Sequence, residues 1–259
     1  MWETVEVVVK EHYAVVTLNR PDALNALSTQ MAKDIIAVMD HLANDINVWA
    51  VVLTGAGERA FCVGADLKER KTMTKVEMVQ QRALFVKAFA SVVRFPKPIV
   101  AAVNGFAMGG GFEFALCCDM IVAAHEAFLG LPEVGLGIIP GGGGTQNLPR
   151  IIGKNKAKEL IYTGRKISGE TAFAWGIANK TAPRNELMEV TAELMREITK
   201  NAPLALQQAK LSIEVGTEMD LASGLALEAE AYNRCLYSED RDEGLRAFNE
   251  KRKPAYKGQ

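Results

Sequence analysis

The sequence predicts an α/β fold, and three observations carry that expectation. Apolar runs of strand length alternate with amphipathic helical stretches up to about residue 182, glycine-centred turns stand between them, and from about residue 184 onward only helical patterns follow. Residues 4–10 and 14–18 read as two strands, the first with valine at alternate positions. The stretch 28–42 places Met31, Ile35, Val38, Met39 and Leu42 at helical spacing, and 49–53 is a short apolar run with the character of a buried strand. Thr74-Lys75-Val76-Glu77 has the form of a capping box and opens a helix that runs to about Val93. Pro96 and Pro98 end that region, 99–103 is another buried strand, and the pattern recurs as a helix over 109–118 and a strand over 120–123.

The tail reads as helices over 185–200, 203–215 and 220–237, with a last one from about Asp240. A division near residue 195 separates a core, 1–195, from a helical region, 196–259. No low-complexity linker marks it, so the tail is expected to be docked, with its amphipathic faces on the core or on another subunit.

Composition narrows the function classes. The 259 residues carry 30 Lys+Arg against 31 Asp+Glu, a net charge of −1, which argues against nucleic acid or a membrane surface as the main partner. No apolar run reaches the roughly 20 residues that span a bilayer, and the alternating, charged first residues do not read as a secretory signal. A cytoplasmic enzyme is the expectation. Cys62 and Cys235 stand alone, Cys117 and Cys118 are adjacent, and His12, His41 and His125 are scattered, so no metal site is expected. Gly55-Ala56-Gly57-Glu58-Arg59-Ala60 imitates a dinucleotide fingerprint, but Phe61-Cys62-Val63-Gly64 follows where a helix should.

Three glycine-centred segments place backbone amides next to a helix start: Val63-Gly64-Ala65-Asp66-Leu67, Met108-Gly109-Gly110-Gly111-Phe112-Glu113, and Pro140-Gly141-Gly142-Gly143-Gly144-Thr145. Amides in a first helical turn lack internal partners, and glycine lets a substrate approach them, which suits a developing oxyanion. Any one of the three alone reads first as a tight turn, and the three together point to the oxyanion. Glu113 stands among Phe112, Phe114, Ala115 and Leu116, and Glu133 follows 20 residues later in the apolar Leu131-Pro132-Glu133-Val134-Gly135. Taken singly, each is a surface or cap residue; facing one cavity, the pair would separate their proton affinities and hold a water between them.

Taken in order, Asn19-Arg20-Pro21 with Ala23-Leu24-Asn25-Ala26-Leu27, Gly64-Ala65-Asp66-Leu67-Lys68, Ala101-Ala102-Val103-Asn104-Gly105, Gly109-Gly110-Gly111-Phe112-Glu113, Asp119, Pro132-Glu133, and Ile139-Pro140-Gly141-Gly142-Gly143-Gly144-Thr145-Gln146 resemble the crotonase superfamily, specifically its enoyl-CoA hydratases. The resemblance spans nearly the whole chain. It implies a ClpP/crotonase-like spiral of repeated ββα units, a C-terminal helical trimerisation region, and trimers commonly paired into hexamers. It implies that the thioester carbonyl of a trans-2-enoyl-CoA lies between the N–H groups of Ala65 and Gly110. Glu113 then activates the water that adds to Cβ, the Gly141 amide helps position that water, and Glu133 supplies the proton to Cα, giving a 3-hydroxyacyl-CoA. No cofactor is implied, since coenzyme A is part of the substrate.

The coenzyme A contacts implied are Ala23, Leu24, Val63, Ala65, Asp66 and Leu67, with Lys68 near the phosphates, and Tyr232 and Lys251 reaching a neighbouring subunit's ligand. Two positions depart from the pattern: Asp22, where relatives often carry a lysine, and Leu131, where many hydratases carry a glutamine. Isomerases of the superfamily typically lack one of the two acids, and this chain keeps both. The strings VGADLKER, IIPGGGGTQ and EKRKPAYKG also resemble the methylglutaconyl-CoA hydratase branch, some members of which bind AU-rich RNA. Against RNA stand the neutral total charge and a basic cluster of only Arg246, Lys251, Arg252, Lys253 and Lys257.

Overall fold

The computed structural model describes residues 2–259. Strands β1 (Val5–Lys10) and β2 (Tyr13–Leu18) form an antiparallel hairpin in which Val5 faces Leu18 and Lys10 faces Tyr13. Helix α1 (Thr29–Asn44) starts where Ser28 accepts a hydrogen bond from the Met31 amide, and all five residues expected on its apolar face are buried. After α1 the chain repeats one motif. Strands β3 (Ala50–Gly55) and β4 (Ala60–Cys62) lead through a short α2 (Leu67–Arg70) to α3 (Lys75–Val93), which opens with the expected Thr74–Glu77 capping box. Strands β5 (Ile99–Val103) and β6 (Phe106–Met108) lead to α4 (Gly110–Leu116), and β7 (Met120–Ala124) and β8 (Phe128–Gly130) lead to α5 (Gly144–Ile152) and α6 (Lys154–Thr163). The core closes with β9 (Lys166–Ser168), α7 (Gly169–Ala174), β10 (Lys180–Ala182) and α8 (Leu187–Thr199).

The strands sort into two sheets, one of six in the order β1-β2-β3-β5-β7-β10 and one of four in the order β4-β6-β8-β9. Each repeat sends its first strand to the six-stranded sheet and its second to the four-stranded sheet before a helix follows. This is the ββα spiral expected from the resemblance. From β2 to β10 the larger sheet is parallel, and every residue of β3 and β5 is buried, as for strands covered on both faces. Strands β4, β6, β8, β9 and β10 have three residues each, too few to show a period in sequence.

Three helices complete the chain: α9 (Pro203–Gly216), α10 (Leu221–Leu236) and α11 (Glu239–Asn249). Position 195/196 falls inside α8, whose Leu187, Thr191, Leu194 and Met195 are buried and which packs on β3, β5, β7 and β10. Helix α9 is tied to the core by Lys210, whose ammonium lies 2.9 Å from Asp119 and donates to the Lys97 carbonyl at 3.1 Å. Among the described residues no helix is long and apolar enough to cross a membrane.

Candidate active site

The site is assembled where the second strands of successive repeats turn into helices. After β4, Gly64 takes φ +84°, and the following segment is pinned to Leu27: the Leu27 amide donates to the Gly64 carbonyl at 2.8 Å and the Asp66 amide to the Leu27 carbonyl at 3.0 Å. After β6, Gly109 takes φ +54° and ψ −127°, a conformation glycine tolerates, and its carbonyl accepts the Glu113 amide at 3.0 Å. The two turns abut so closely that a methyl group on Gly64 would sit 3.0 Å from the Gly110 nitrogen, and one on Gly111 would overlap the Cys62 carbonyl. Among the described residues, the amides of Ala65 and Gly110 donate to no group of the protein. They form a pair of neighbouring donors.

Glu113, in the first turn of α4, is 3% exposed. Its Oε1 accepts the amides of Gly142 and Gly144, each at 2.7 Å, so the third glycine segment wraps the carboxylate. Gly143 at φ +113° allows the chain to turn back so that both neighbours point inward. Glu133 opens a 3-10 turn over Glu133–Leu136 and is also buried, with Oε1 lying 3.1 Å from where a Gly109 methyl would be and Oε2 lacking a partner in the protein. Burial, with the charge of Glu113 added, pushes the Glu133 carboxyl up to about 7. One carboxylate is thus stabilised by two backbone donors while its neighbour is left poorly solvated and holds its proton near neutrality.

The sequence matches the enoyl-CoA hydratase/isomerase family over residues 9–259. The chain belongs to that family. It is 45% identical over 240 residues to the short-chain-enoyl-CoA hydratase of Clostridium acetobutylicum, covering 93% of this chain and 92% of the relative. It is 39% identical over 244 residues to the crotonyl-CoA hydratase of Syntrophomonas wolfei, covering 94% of each. The crystal structure of enoyl-CoA hydratase from Bacillus anthracis superimposes with a TM-score of 0.97 at 42% identity, covering 99% of this chain and 100% of that one. The fold is therefore the crotonase fold that the motif resemblance implied.

The family's remaining positions fall in two places. Ala23 ends a 3-10 turn over Pro21–Ala23 and Leu24 caps it, and Leu24 and Asn25 are both left-handed, at φ +52° and +54°. This strained pair is held by Asn25, fully buried, which accepts the Arg20 amide at 2.9 Å and donates to the carbonyls of Ala56 and Ala60. Asp66 caps α2 and pairs with Arg20 at 2.9 Å. Burial opposes its charge, but the Arg20 bond and the capping amides outweigh that and keep it below the usual carboxylate range. Its carboxylate is thereby committed to holding the loop, and Leu67 and Lys68 are left exposed at the surface. Tyr232, 64% exposed on α10, and Lys251, beyond α11, stand on the tail, outside the loops that hold the glutamates.

Leu131 is fully buried, and its Cδ1 packs against Gly144 as part of the wall behind Glu113. Asp22 is exposed. A cleft of about 570 Å³ opens elsewhere, between Thr17, Thr54, Asn104, Glu126, Arg184 and Met188, and includes neither glutamate. In the tail, Arg252 and the Ala255 amide draw Glu243 down to about 2, so part of the basic cluster is already paired. Sequence reasoning missed Phe89 and Arg82 on α3: Phe89 presses on Gly142, where a methyl group would lie 2.5 Å from the ring, and Arg82 donates to the Gly141 carbonyl. Arg82, Phe85 and Phe89 follow i, i+3, i+7 spacing, and a charge at the end of an apolar stripe was the available signal.

Proposed function

We propose that the protein adds water across the 2,3 double bond of a trans-2-enoyl-CoA to give a 3-hydroxyacyl-CoA. The observation that carries this reading is the pair of buried glutamates in unlike environments beside two free amides. Glu113, oriented by Gly142 and Gly144, takes a proton from a water whose oxygen bonds to Cβ. The electron pair of the double bond moves toward the thioester oxygen, where the Ala65 and Gly110 amides meet the developing charge without reorganising. Glu133, protonated because its carboxyl lies near 7, gives its proton to Cα. Both acids serve one face, so addition is syn, and the Gly141 amide is the candidate for positioning the water. No group beyond these is needed, since coenzyme A arrives with the substrate.

The relatives named for short-chain and crotonyl substrates make crotonyl-CoA the substrate to test first. Loss of the conjugated-thioester absorbance should follow addition of the protein and should nearly vanish in Glu113→Gln and in Glu133→Gln; full activity in either variant would sink the two-acid assignment. Oxygen from labelled water appearing at C3 separates hydration from isomerisation.

The coenzyme is assigned to the surface of Ala23, Leu24, Val63, Ala65, Asp66, Leu67 and Lys68. Tyr232 and Lys251 are assigned to a neighbouring subunit's ligand. A homo-oligomer, a trimer or a pair of trimers, is supported by the apolar side chains that the tail leaves uncovered, including Leu221, Leu225, Tyr237 and Phe248. We assign the core to residues 1–195, the helical region to 196–259, the pathway to acyl-CoA catabolism such as fatty-acid β-oxidation, and the compartment to the cytoplasm, which suits four free cysteines.

A further inference from the structure

The peptide unit joining Gly141 to Gly142 is held at both ends. Its N–H donates to Glu113 Oε1 at 2.7 Å, and its carbonyl oxygen accepts a hydrogen bond from the Arg82 guanidinium on α3. A donor on the oxygen of a peptide polarises that unit and strengthens donation by its N–H, so the two bonds support each other. The unit has little room to rotate: Phe89, two turns along α3 from Arg82, lies against Gly142, and a methyl group on Gly141 would sit 3.0 Å from the Arg82 Nη2 atom. Phe89 in turn stacks on Phe114 of α4 with centroids 4.1 Å apart, so α3 and the helix carrying Glu113 clasp the loop between them. Arg82 takes part in none of the ion pairs among the described residues. Its hydrogen bond to the glycine loop is the polar contact it makes.

We propose that Arg82 is a positioning residue for the hydration reaction, acting on Glu113 through the Gly141–Gly142 peptide. The proposal rests on the assignment of Glu113 as the base. It gives α3 a part in catalysis without contact to substrate: a guanidinium on the outside of the loop steadies a peptide dipole whose other end orients a buried carboxylate. The Gly144 amide makes the second bond to the same oxygen, and the carbonyl of its own peptide is held separately by the Gln146 and Asn147 amides at 2.9 and 2.8 Å, so loss of Arg82 should weaken the constraint on Glu113 rather than abolish it.

The test compares the native protein, Arg82→Met, Arg82→Lys and Glu113→Gln with crotonyl-CoA over a range of concentrations. Arg82→Met should lower kcat by about tenfold, the scale of one charge-assisted hydrogen bond at an exposed position, with KM changed by less than about twofold. Arg82→Lys, which can still donate to the Gly141 carbonyl, should recover kcat to within about threefold of native. An unchanged kcat in Arg82→Met, a rise in KM at constant kcat, or equal loss in the methionine and lysine variants would each overturn the proposal; the second would mean direct contact with substrate and the third a structural role. Glu113→Gln separates the two levels of argument. If it keeps full activity, the base assignment fails and takes this proposal with it, whereas an inactive Glu113→Gln beside an unimpaired Arg82→Met removes the role of Arg82 alone.

Discussion

In α1 the five apolar residues at helical spacing are all buried, whereas in α10 only Ala231 is, and Leu225 and Tyr232 stand 55% and 64% exposed. Both helices are 16 residues long, and both start with a side-chain cap, Ser28 in one and Asp220 in the other. Local signals made each helix equally well; the difference lies in what each finds to pack against. The first packs on α3 and β1 within the core of its own chain, and the second packs on α9 and keeps an apolar surface that its own chain does not cover. The core buries the glutamates within one chain, while the tail leaves an apolar face exposed on its own chain.

The strongest way to break that comparison is at the core's chemistry. Glu113→Gln and Glu133→Gln should each lower kcat for crotonyl-CoA by about 10²–10⁴-fold while leaving the thermal midpoint within a few degrees. A large loss of stability would instead make the acids structural. Next comes Gly111→Ala. Its methyl group would overlap the Cys62 carbonyl, so α4 must move off β4, at a cost of about 3 kcal/mol in urea unfolding and with loss of activity as the Gly110 amide is displaced.

The third prediction concerns pH. Because Glu133 must be protonated to donate, kcat/KM should fall as pH rises through about 7. The same raised proton affinity has a sign for stability: its contribution is fully present below the carboxyl's unfolded value and is lost as pH rises through about 7. Glu133→Gln should therefore remove that alkaline loss, making the variant roughly 1–3 kcal/mol more stable than native near pH 9 in denaturant titrations. The smallest effect belongs to the tail. The double substitution Leu225→Asp and Phe248→Asp should shift the mass measured by light scattering toward the monomer, a change of about 1–2 kcal/mol in association, with the core's unfolding transition intact. A native protein that is already monomeric would end the idea that the tail is covered by another copy.

Much of this was legible before any coordinates. The longer elements announced themselves through helical spacing in 28–42, the Thr74–Glu77 cap and the apolar runs of β3 and β5, since each is a local pattern with a local cause. The motifs named the family and both glutamates. The three-residue strands, β4 and β6 among them, stayed hidden because pairing partners, and not their own composition, make them strands. Asp66 illustrates a subtler gap: its motif marked the coenzyme surface, yet its carboxylate is committed to Arg20 and the start of α2.

The sequence by itself determined which residues carry protons, where glycine permits the backbone to turn at φ values other residues resist, and which stretches become helices, because these depend on side-chain chemistry and nearest neighbours. Tertiary structure alone decided that Glu113 receives two backbone amides while Glu133 is left with an unpartnered oxygen, and that Arg82, 59 positions before Gly141, grips the same loop. Solvation and hydrogen-bond satisfaction are properties of the space around a group, and that space is assembled from residues far apart in the chain.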